Sequence, residues 1–329
     1  MTAELATRLS SWLSDHEHRQ VEVRDLTLAS AGARRVNALF QAVTADRAES
    51  LALTMIPSAA IQILDVRSEA DVRILAEQAG VPVPRVHYVC DDEAVLGGPF
   101  FISSAIAGET VPRRVLRLAE TRGIGEQVVA QLGRAMADLH RIDPALASRL
   151  PGFGANPIEV ALGVVEGLLA RLLEPSPTLS FAARWLERHA PAAPAHVSIV
   201  HTDMRTGNVI VGDEGLRAVL DWEGARIGDP MEDTAWPCQR MWRFREDART
   251  VGGLAGVDVL RDAYAHAGGA WDEERFRWWR VLGTVRWGLS LAGQAASHLD
   301  GSFPSIVMAA SGRRVAELEY DTLLLLRPR

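Results

Sequence analysis

HTDMRTGNVIVGDEGLRAVLDWEGARIGDP, residues 201–230, sets Asp203, Asn208, Asp221, Glu223 and Asp229 between short apolar runs. The runs NVIV and LRAVLDW are rich in β-branched and large apolar residues and read as two short strands around a turn. A turn before the first strand aims Asp203 and Asn208 at one point. The end of the second strand brings Asp221 beside it. An amide oxygen and a carboxylate are hard ligands of the kind Mg²⁺ prefers, alongside phosphate oxygens and water. A further carboxylate that is not a ligand is left to accept a proton from an attacking hydroxyl. An acid, an Asn five residues on and another acid after a hairpin form a layout suited to phosphoryl transfer. Arg205, two residues after Asp203, is placed to steady a transferring phosphate.

Around this stretch the chain changes character. VEVRDLTLA, VNALFQAVTA and SLALTMI read as strands. RSEADVRILAEQAG places Val72, Leu75, Ala76 and Ala79 at helical spacing and ends on Gly80. VPVPRVHYVC is extended, and GPFFISSAI is a strand leading out of the region. After Gly108 the periodicity is mainly helical. One stripe runs from Ile124 to His140, and further helices are expected near 158–173, 178–189, 232–245, 257–267, 272–298 and 304–326. The first hundred residues thus hold mostly strands with one clear helix. The expected organisation is a β-rich N-lobe over 1–105, a helical C-lobe over 106–329, and a ligand cleft between them.

The 329 residues suffice for two lobes with a sizeable core. A net charge of −7 argues against a general nucleic-acid binder. No apolar run approaches the roughly 20 residues of a membrane span, and MTAELATRLSSWLSDHEH lacks the basic start and apolar centre of a signal peptide. Cys90 and Cys238 support neither a disulfide framework nor a cysteine-rich zinc site. A cytoplasmic protein is expected, as a monomer or homodimer, acting on a small molecule without nucleic acid or membrane. The sequence contains no lysine, so every side-chain cation except histidine is one of 35 arginines.

HTDMRTGN resembles the HGDxxxGN loop of the aminoglycoside phosphotransferase-like kinases, and LDWEGARIGDPMEDTAW resembles their LDWExxxxGDPxxDLAW segment. SEADVRILAEQAGVPVPRV is similar to the family's first-lobe helix with its GVPVP tail. VLGGPFFISSAIAGE is similar to the segment that joins the lobes and carries Ser104 at the nucleotide side. The resemblance spans about residues 25–325 and is nearest the branch related to kinase modules fused to acyl-CoA dehydrogenases. It implies an α+β, protein-kinase-like bilobal fold with a small antiparallel-sheet N-lobe and a larger mainly helical C-lobe. It implies transfer of phosphate from ATP, or another nucleoside triphosphate, with Mg²⁺, to a hydroxyl of a small molecule. Within it Asp203 is the base, Asn208 and Asp221 are Mg²⁺ ligands, Glu223 lies near the metal, His201 braces the loop and Asp229 holds the loop backbone. Asp233 reads as a first-turn helix acid.

The N-lobe departs from the family. Relatives carry a Lys or Arg on the third strand that pairs with the helix acid, here Glu69; in this chain the position is Thr54. The glycine loop retains only Gly32. Arg34, Arg35, Arg67 and Arg73 are the candidate substitutes, with Arg35 favoured. Altered nucleotide contacts keep a pseudokinase open as the alternative, and a metal-dependent hydrolase behind it. From Pro230 onward the chain has 13 Asp and Glu against 13 Arg. That neutrality argues against polycationic aminoglycosides as acceptors. An Arg–Trp face of Arg275, Arg277, Arg280 and Arg286 with Trp278, Trp279 and Trp287 instead suits an anionic acceptor such as a hydroxyacyl-CoA.

Overall fold

The computed structural model describes residues 2–31, 35–58, 60 and 62–327. The chain opens on α1 (Thr2–Glu17) and the meander β1 (Glu22–Ala31), β2 (Val36–Val43) and β3 (Ala48–Met55). Then come α2 (Val66–Gln78), β4 (Val86–Cys90), the short α3 (Glu93–Leu96) and β5 (Phe100–Ser104). The five strands form one antiparallel sheet in the order β1-β2-β3-β5-β4. Alternation sorts its two faces. Phe40, Leu51, Leu53, Phe100 and Ile102 face one core together with Leu9 and Leu13 of α1. Phe101 points the other way, to Ile56, Val66 and Ala70 beside α2.

Helix α1 is absent from the sequence reading. Leu5, Leu9 and Leu13 carry its i, i+4 stripe, and the polar residues between them hide it. Its serines stitch it to the sheet, because the Val21 and Val23 amides donate to Ser14 Oγ and Ser10 Oγ, each at 2.9 Å.

The sheet ends at Ser104, and the chain crosses to the second lobe through a backbone bridge. Glu109 and Val211 exchange N–H···O bonds of 2.9 and 3.0 Å. Gly108, at φ 151°, lets the strap lie on the later hairpin, where a Cβ would come within 2.5 Å of Ile210 Cγ2. The helical lobe comprises α4 (Pro112–Arg122), α5 (Gly125–His140), α6 (Pro157–Leu169), α7 (Pro177–Arg188), α8 (Pro230–Ala235), α9 (Val257–His266), α10 (Glu273–Leu299), α11 (Ile306–Gly312) and α12 (Val315–Leu326). Two small ladders lie among them. One pairs β6 (Ser198–Val200) with β9 (Arg226–Gly228), and the other pairs β7 (Val209–Gly212) with β8 (Gly215–Val219). One core runs through this lobe, with Val129, Met136, Leu139, Leu186, Trp222, Trp278 and Leu282 all nearly solvent-free.

Two expected helices are shorter than the periodicity suggests. The helix of 232–245 stops at Ala235, since Pro237 cannot supply the next helical N–H, and two 3₁₀ turns follow. The helix of 304–326 breaks at Arg313 and Arg314, after Gly312 has let α11 rest against Ala295 of α10. Among the described residues no helix is long and apolar enough to cross a membrane.

If α1 is an integral wall of the first lobe, Leu9→Ala should cost about 2–5 kcal/mol of unfolding free energy, as for other buried Leu→Ala changes. A denaturant titration with a loss below about 1 kcal/mol would show instead that α1 is a loose appendage.

Candidate active site

The loop 201–208 leaves β6 and enters β7, and one buried carboxylate fixes its start. Asp233 of α8, 0% exposed, accepts from the His201 amide at 2.7 Å and the Thr202 amide at 2.6 Å. His140, at the end of α5, meets the same carboxylate at 3.1 Å. Burial alone would raise this acid. The hydrogen bond and charge of His140, with His201 and its amide, outweigh that and hold Asp233 below the usual carboxylate range. The loop-holding role expected of Asp229 therefore belongs to Asp233. Asp229 caps α8 through the Met231 amide at 3.0 Å and pairs with Arg275 at 2.6 Å. Asp229, as the N-cap, has an extended backbone at φ −85° and ψ 125°, whereas Asp233 lies inside the helix, and the two acids meet different neighbours.

Held this way, Thr202 takes φ +72°, unusual for a β-branched residue. Its hydroxyl donates to Gly224 O at 3.1 Å, and a side chain at Gly224 would collide with that hydroxyl. His201 braces the same turn with both ring nitrogens. Nε2 faces Leu220 O at 3.0 Å, and Nδ1 accepts from the Asp203 amide at 3.2 Å. This pattern needs the neutral ring protonated on Nε2, and burial pushes the imidazole toward that neutral form.

The strained turn presents Asp203 to the cleft with three side-chain donors on its carboxylate. Trp236 Nε1 lies at 2.5 Å and Arg205 Nε at 3.0 Å from Oδ1, and Asn208 Nδ2 lies at 2.6 Å from Oδ2. Asn208 Nδ2 also reaches Asp203 O at 2.9 Å, so its amide nitrogen is committed and Oδ1 is the atom left for another ligand. Arg205 is stacked on Trp242, 4.3 Å from the ring centroid. It is a clamp on Asp203 rather than a free guanidinium. Sequence reasoning missed Trp236 as a partner of Asp203, although the quoted segment LDWEGARIGDPMEDTAW ends on it.

Asp221 follows β8 at φ +65°. No described residue donates a hydrogen bond to its carboxylate. Surrounding protein mass, with Glu223, Asp203 and Glu69 nearby, pushes it up to about 6 against the pull of Arg35. The residue is nonetheless exposed at the cleft mouth, so water screens much of this repulsion. An acid with no donor among other acids is the environment a divalent cation relieves, and hard oxygen donors from Asn208 and Asp221 fit Mg²⁺.

Across the cleft, Glu69 of α2 is 2% exposed. Arg35, at the entry to β2, meets it with two bonds, Nη1–Oε1 at 3.2 Å and Nη2–Oε2 at 2.7 Å. Its Nε also reaches Glu223 Oε2 at 2.8 Å. Burial works against the Arg35 charge, but Glu69, Glu223 and Asp221 outweigh it and hold the guanidinium above its ordinary value. Thr54 sits across β2–β3 from Asn37 and donates to its Oδ1 at 3.1 Å, so it does not substitute chemically for a cation. Arg67 is spent on Asp91 at the surface. Arg73 is buried against Pro84 O and the Phe101 ring. Ser104 Oγ meets His87 Nε2 at 2.8 Å and its amide donates to Arg85 O, so it is tied to the sheet edge. Gly32 and Arg34 lie outside the described residues. The structure thus gathers Asp203, Arg205 and Asn208 in one network and Arg35, Glu69 and Glu223 in another. Asp221 lies under the influence of both.

The charge on Asp221 has a calculable sign. Its folded value lies above the ordinary 3.8, so the folded chain binds the proton more tightly than the unfolded chain. The ionised group costs stability above about pH 6 and nothing below about pH 4. Asp221→Asn should raise Tm by about 2 °C at pH 7.5, equivalent to roughly 1 kcal/mol after screening, and leave it unchanged at pH 4. Calorimetry at the two pH values checks this, and a lower Tm at pH 7.5 would contradict the repulsion.

Comparison with known proteins agrees with this architecture. The profile of the phosphotransferase enzyme family matches residues 27–279. Mouse acyl-CoA dehydrogenase family member 10 is 26% identical over 292 residues, covering 82% of this chain and 26% of that protein. Chicken acyl-CoA dehydrogenase family member 11 is 29% identical over 169 residues, 49% of this chain and 21% of its own length. The chain thus spans about a quarter or less of these relatives. Among solved structures, a Ralstonia eutropha protein provisionally assigned as an aminoglycoside phosphotransferase superposes with TM-score 0.72 at 21% identity, covering 97% of both chains. An aminoglycoside 2'-phosphotransferase bound to GDP gives 0.65 at 13% identity, covering 98% of this chain and 99% of the other. A phosphotransferase holding AMP-PNP and hygromycin B gives 0.61 at 19%, covering 96% and 99%. These likenesses establish the protein-kinase-like bilobal fold. With the family profile covering most of the length, the chain belongs to the phosphotransferase enzyme family.

Proposed function

We propose that this chain transfers the terminal phosphoryl group of a nucleoside triphosphate, ATP in the first instance, to a hydroxyl of a small molecule bearing negative charge. The observation that carries this reading is Arg35, paired with both oxygens of Glu69 and with Glu223. A cation facing the phosphates is the requirement that Thr54 leaves unmet. A guanidinium at contact distance supplies ~4 kcal/mol of attraction per phosphate charge at an effective dielectric near 20. Arg35 approaches from the neighbouring strand, and its fork allows it to keep Glu69 while turning one edge to phosphate.

In this reading the lobes divide near residue 105, with the nucleotide held against the sheet side and the acceptor against the helical side. The acceptor hydroxyl approaches Asp203, whose carboxylate takes the proton as the oxygen attacks phosphorus. Arg205, Trp236 and Asn208 hold that carboxylate in one orientation, which removes a rotational search from the reacting step. Mg²⁺, arriving with the nucleotide, would be held by Asn208 Oδ1 and Asp221 and would supply positive charge to the phosphate oxygens. Glu223 lies beside this position and steadies Arg35. The likeness to acyl-CoA dehydrogenase family members and the neutral charge balance after Pro230 favour an anionic acceptor, a hydroxyacyl-CoA or related acid, over polycationic aminoglycosides.

Two variants separate the roles. Asp203→Asn keeps the shape but cannot accept a proton, so nucleotide affinity should persist while turnover falls by about 10²–10⁴; unchanged turnover would remove Asp203 as the base. Arg35→Ala should leave Glu69 buried and unpaired, at about 3–5 kcal/mol in stability, and weaken ATP binding at least tenfold by calorimetric titration. Arg35→Lys should recover part of both. Unaltered ATP affinity in a folded Arg35→Ala protein would assign the phosphates to another cation.

A further inference from the structure

The expected Arg–Trp face of α10 is not one surface. Trp278 and Trp279 are each 2% exposed, inside the core. Arg275 is spent on Asp229, and Arg286 meets Glu232 at 2.8 Å. Arg277 lies over the Trp185 ring at 5.8 Å. Only Arg280 turns toward a cavity, a space of about 290 Å³ between α10, α12 and the segment after α8.

The charges lining that cavity do not balance. It holds three arginines, Arg240, Arg243 and Arg280, against Asp247 and Asp321. Arg240 takes both acids, with bonds of 3.1 and 3.0 Å to Asp247 and 2.8 Å to Asp321. Arg243 is 9% exposed and bonds no carboxylate among the described residues. Its Nη atoms reach only the backbone oxygens of Cys238 and Asp247, and its Nε is buried without a partner. Arg280 makes no ion pair among the described residues, and its Nε is also buried and unbonded. Two guanidiniums close enough to repel each other, with the nearby acids taken up by Arg240 and with orphaned N–H groups, are costly unless an anion joins them. Leu324 and Leu325 close another side of the cavity with apolar surface.

We propose that this cavity binds a small organic anion, a carboxylate or phosphate monoester with its charged group between Arg243 and Arg280 and a short apolar segment against Leu324 and Leu325. A space of about 290 Å³ has room for a small organic anion, since one water needs only about 10–15 Å³ on the same measure. Guanidinium forks favour the planar, two-oxygen acceptors of such anions. Trp242, the chain neighbour of the lining residue Arg243, carries Arg205 on its face. The binding does not depend on the phosphoryl-transfer reading, since it needs neither nucleotide nor turnover.

The test is calorimetric titration of the full chain in low-chloride buffer, without nucleotide, using hexanoate and inorganic phosphate as probes. Saturable binding of at least one probe is expected. Tighter hexanoate marks a carboxylate with a tail, whereas phosphate alone marks a phosphate ester. Arg280→Gln should weaken binding at least tenfold, Arg280→Lys less, and Arg277→Gln on the same helix not at all. Leu324→Glu, at a position 43% exposed, should block the cavity with an internal carboxylate even if Arg280→Gln fails to fold. No saturable binding of either probe, or equal weakening by Arg277→Gln, would overturn the proposal.

Discussion

The loop that carries Asp203 and Asn208 hangs on one solvent-free carboxylate, Asp233, accepting the amides of two consecutive residues. An ionised acid in that position is costly unless its oxygens are filled. His140 and the two amides fill them, and in return the acid makes Thr202 keep a backbone angle it would not hold alone. Removing the acceptor would free the turn to relax, and with it the direction in which Asp203 points. Three elements far apart in the chain, the end of α5, the start of the loop and the first turn of α8, meet at this point. The precision of the cleft is therefore a property of the helical lobe's core and not of the loop itself.

The second junction is of a different kind. Arg35 joins Glu69 in the first lobe to Glu223 in the second, so a single guanidinium spans the two halves of the cleft. A strand cation paired only to its helix acid would order one lobe. This arrangement also ties the relative position of the lobes to the state of the pair. Glu223, Asp221 and Asp203 lie close together on the other side, and Arg35 is the cation that keeps this acidic wall and the sheet lobe together.

Much of this was legible in the chain. The loop of 201–208 and the acid at 221 were readable because polar residues of limited type alternated there with strand-like runs, a pattern that surface loops rarely sustain. The absence of lysine meant that a partner for Glu69 had to be an arginine, and of Arg34, Arg35, Arg67 and Arg73 the sequence favoured Arg35 without deciding it. What escaped was decided by packing. Asp229 and Asp233 are chemically alike in sequence; only the burial of α8 and the reach of Arg275 assign one to the cap and the other to the loop. Helix α1 was hidden because four-residue spacing of three leucines is weak evidence until a sheet is present to cover. The aromatic and basic residues of α10 looked like one face in sequence, but their side chains divide among the core, three ion-paired or stacked arginines and a cavity.

Arg35 has a practical consequence for how this protein is detected. Reagents that label nucleotide sites commonly deliver an acyl group from a phosphate-bearing carrier to a nearby lysine amine. A guanidinium stays protonated at any ordinary pH and offers no lone pair for acylation. With Arg35 in the cleft and no lysine anywhere in the sequence, such a reagent could bind and leave no mark on any side-chain amine. Surveys that count kinases by lysine acylation would pass over this chain however well it holds a nucleotide. A dicarbonyl warhead, which condenses with guanidinium groups, matches the chemistry that this cleft presents.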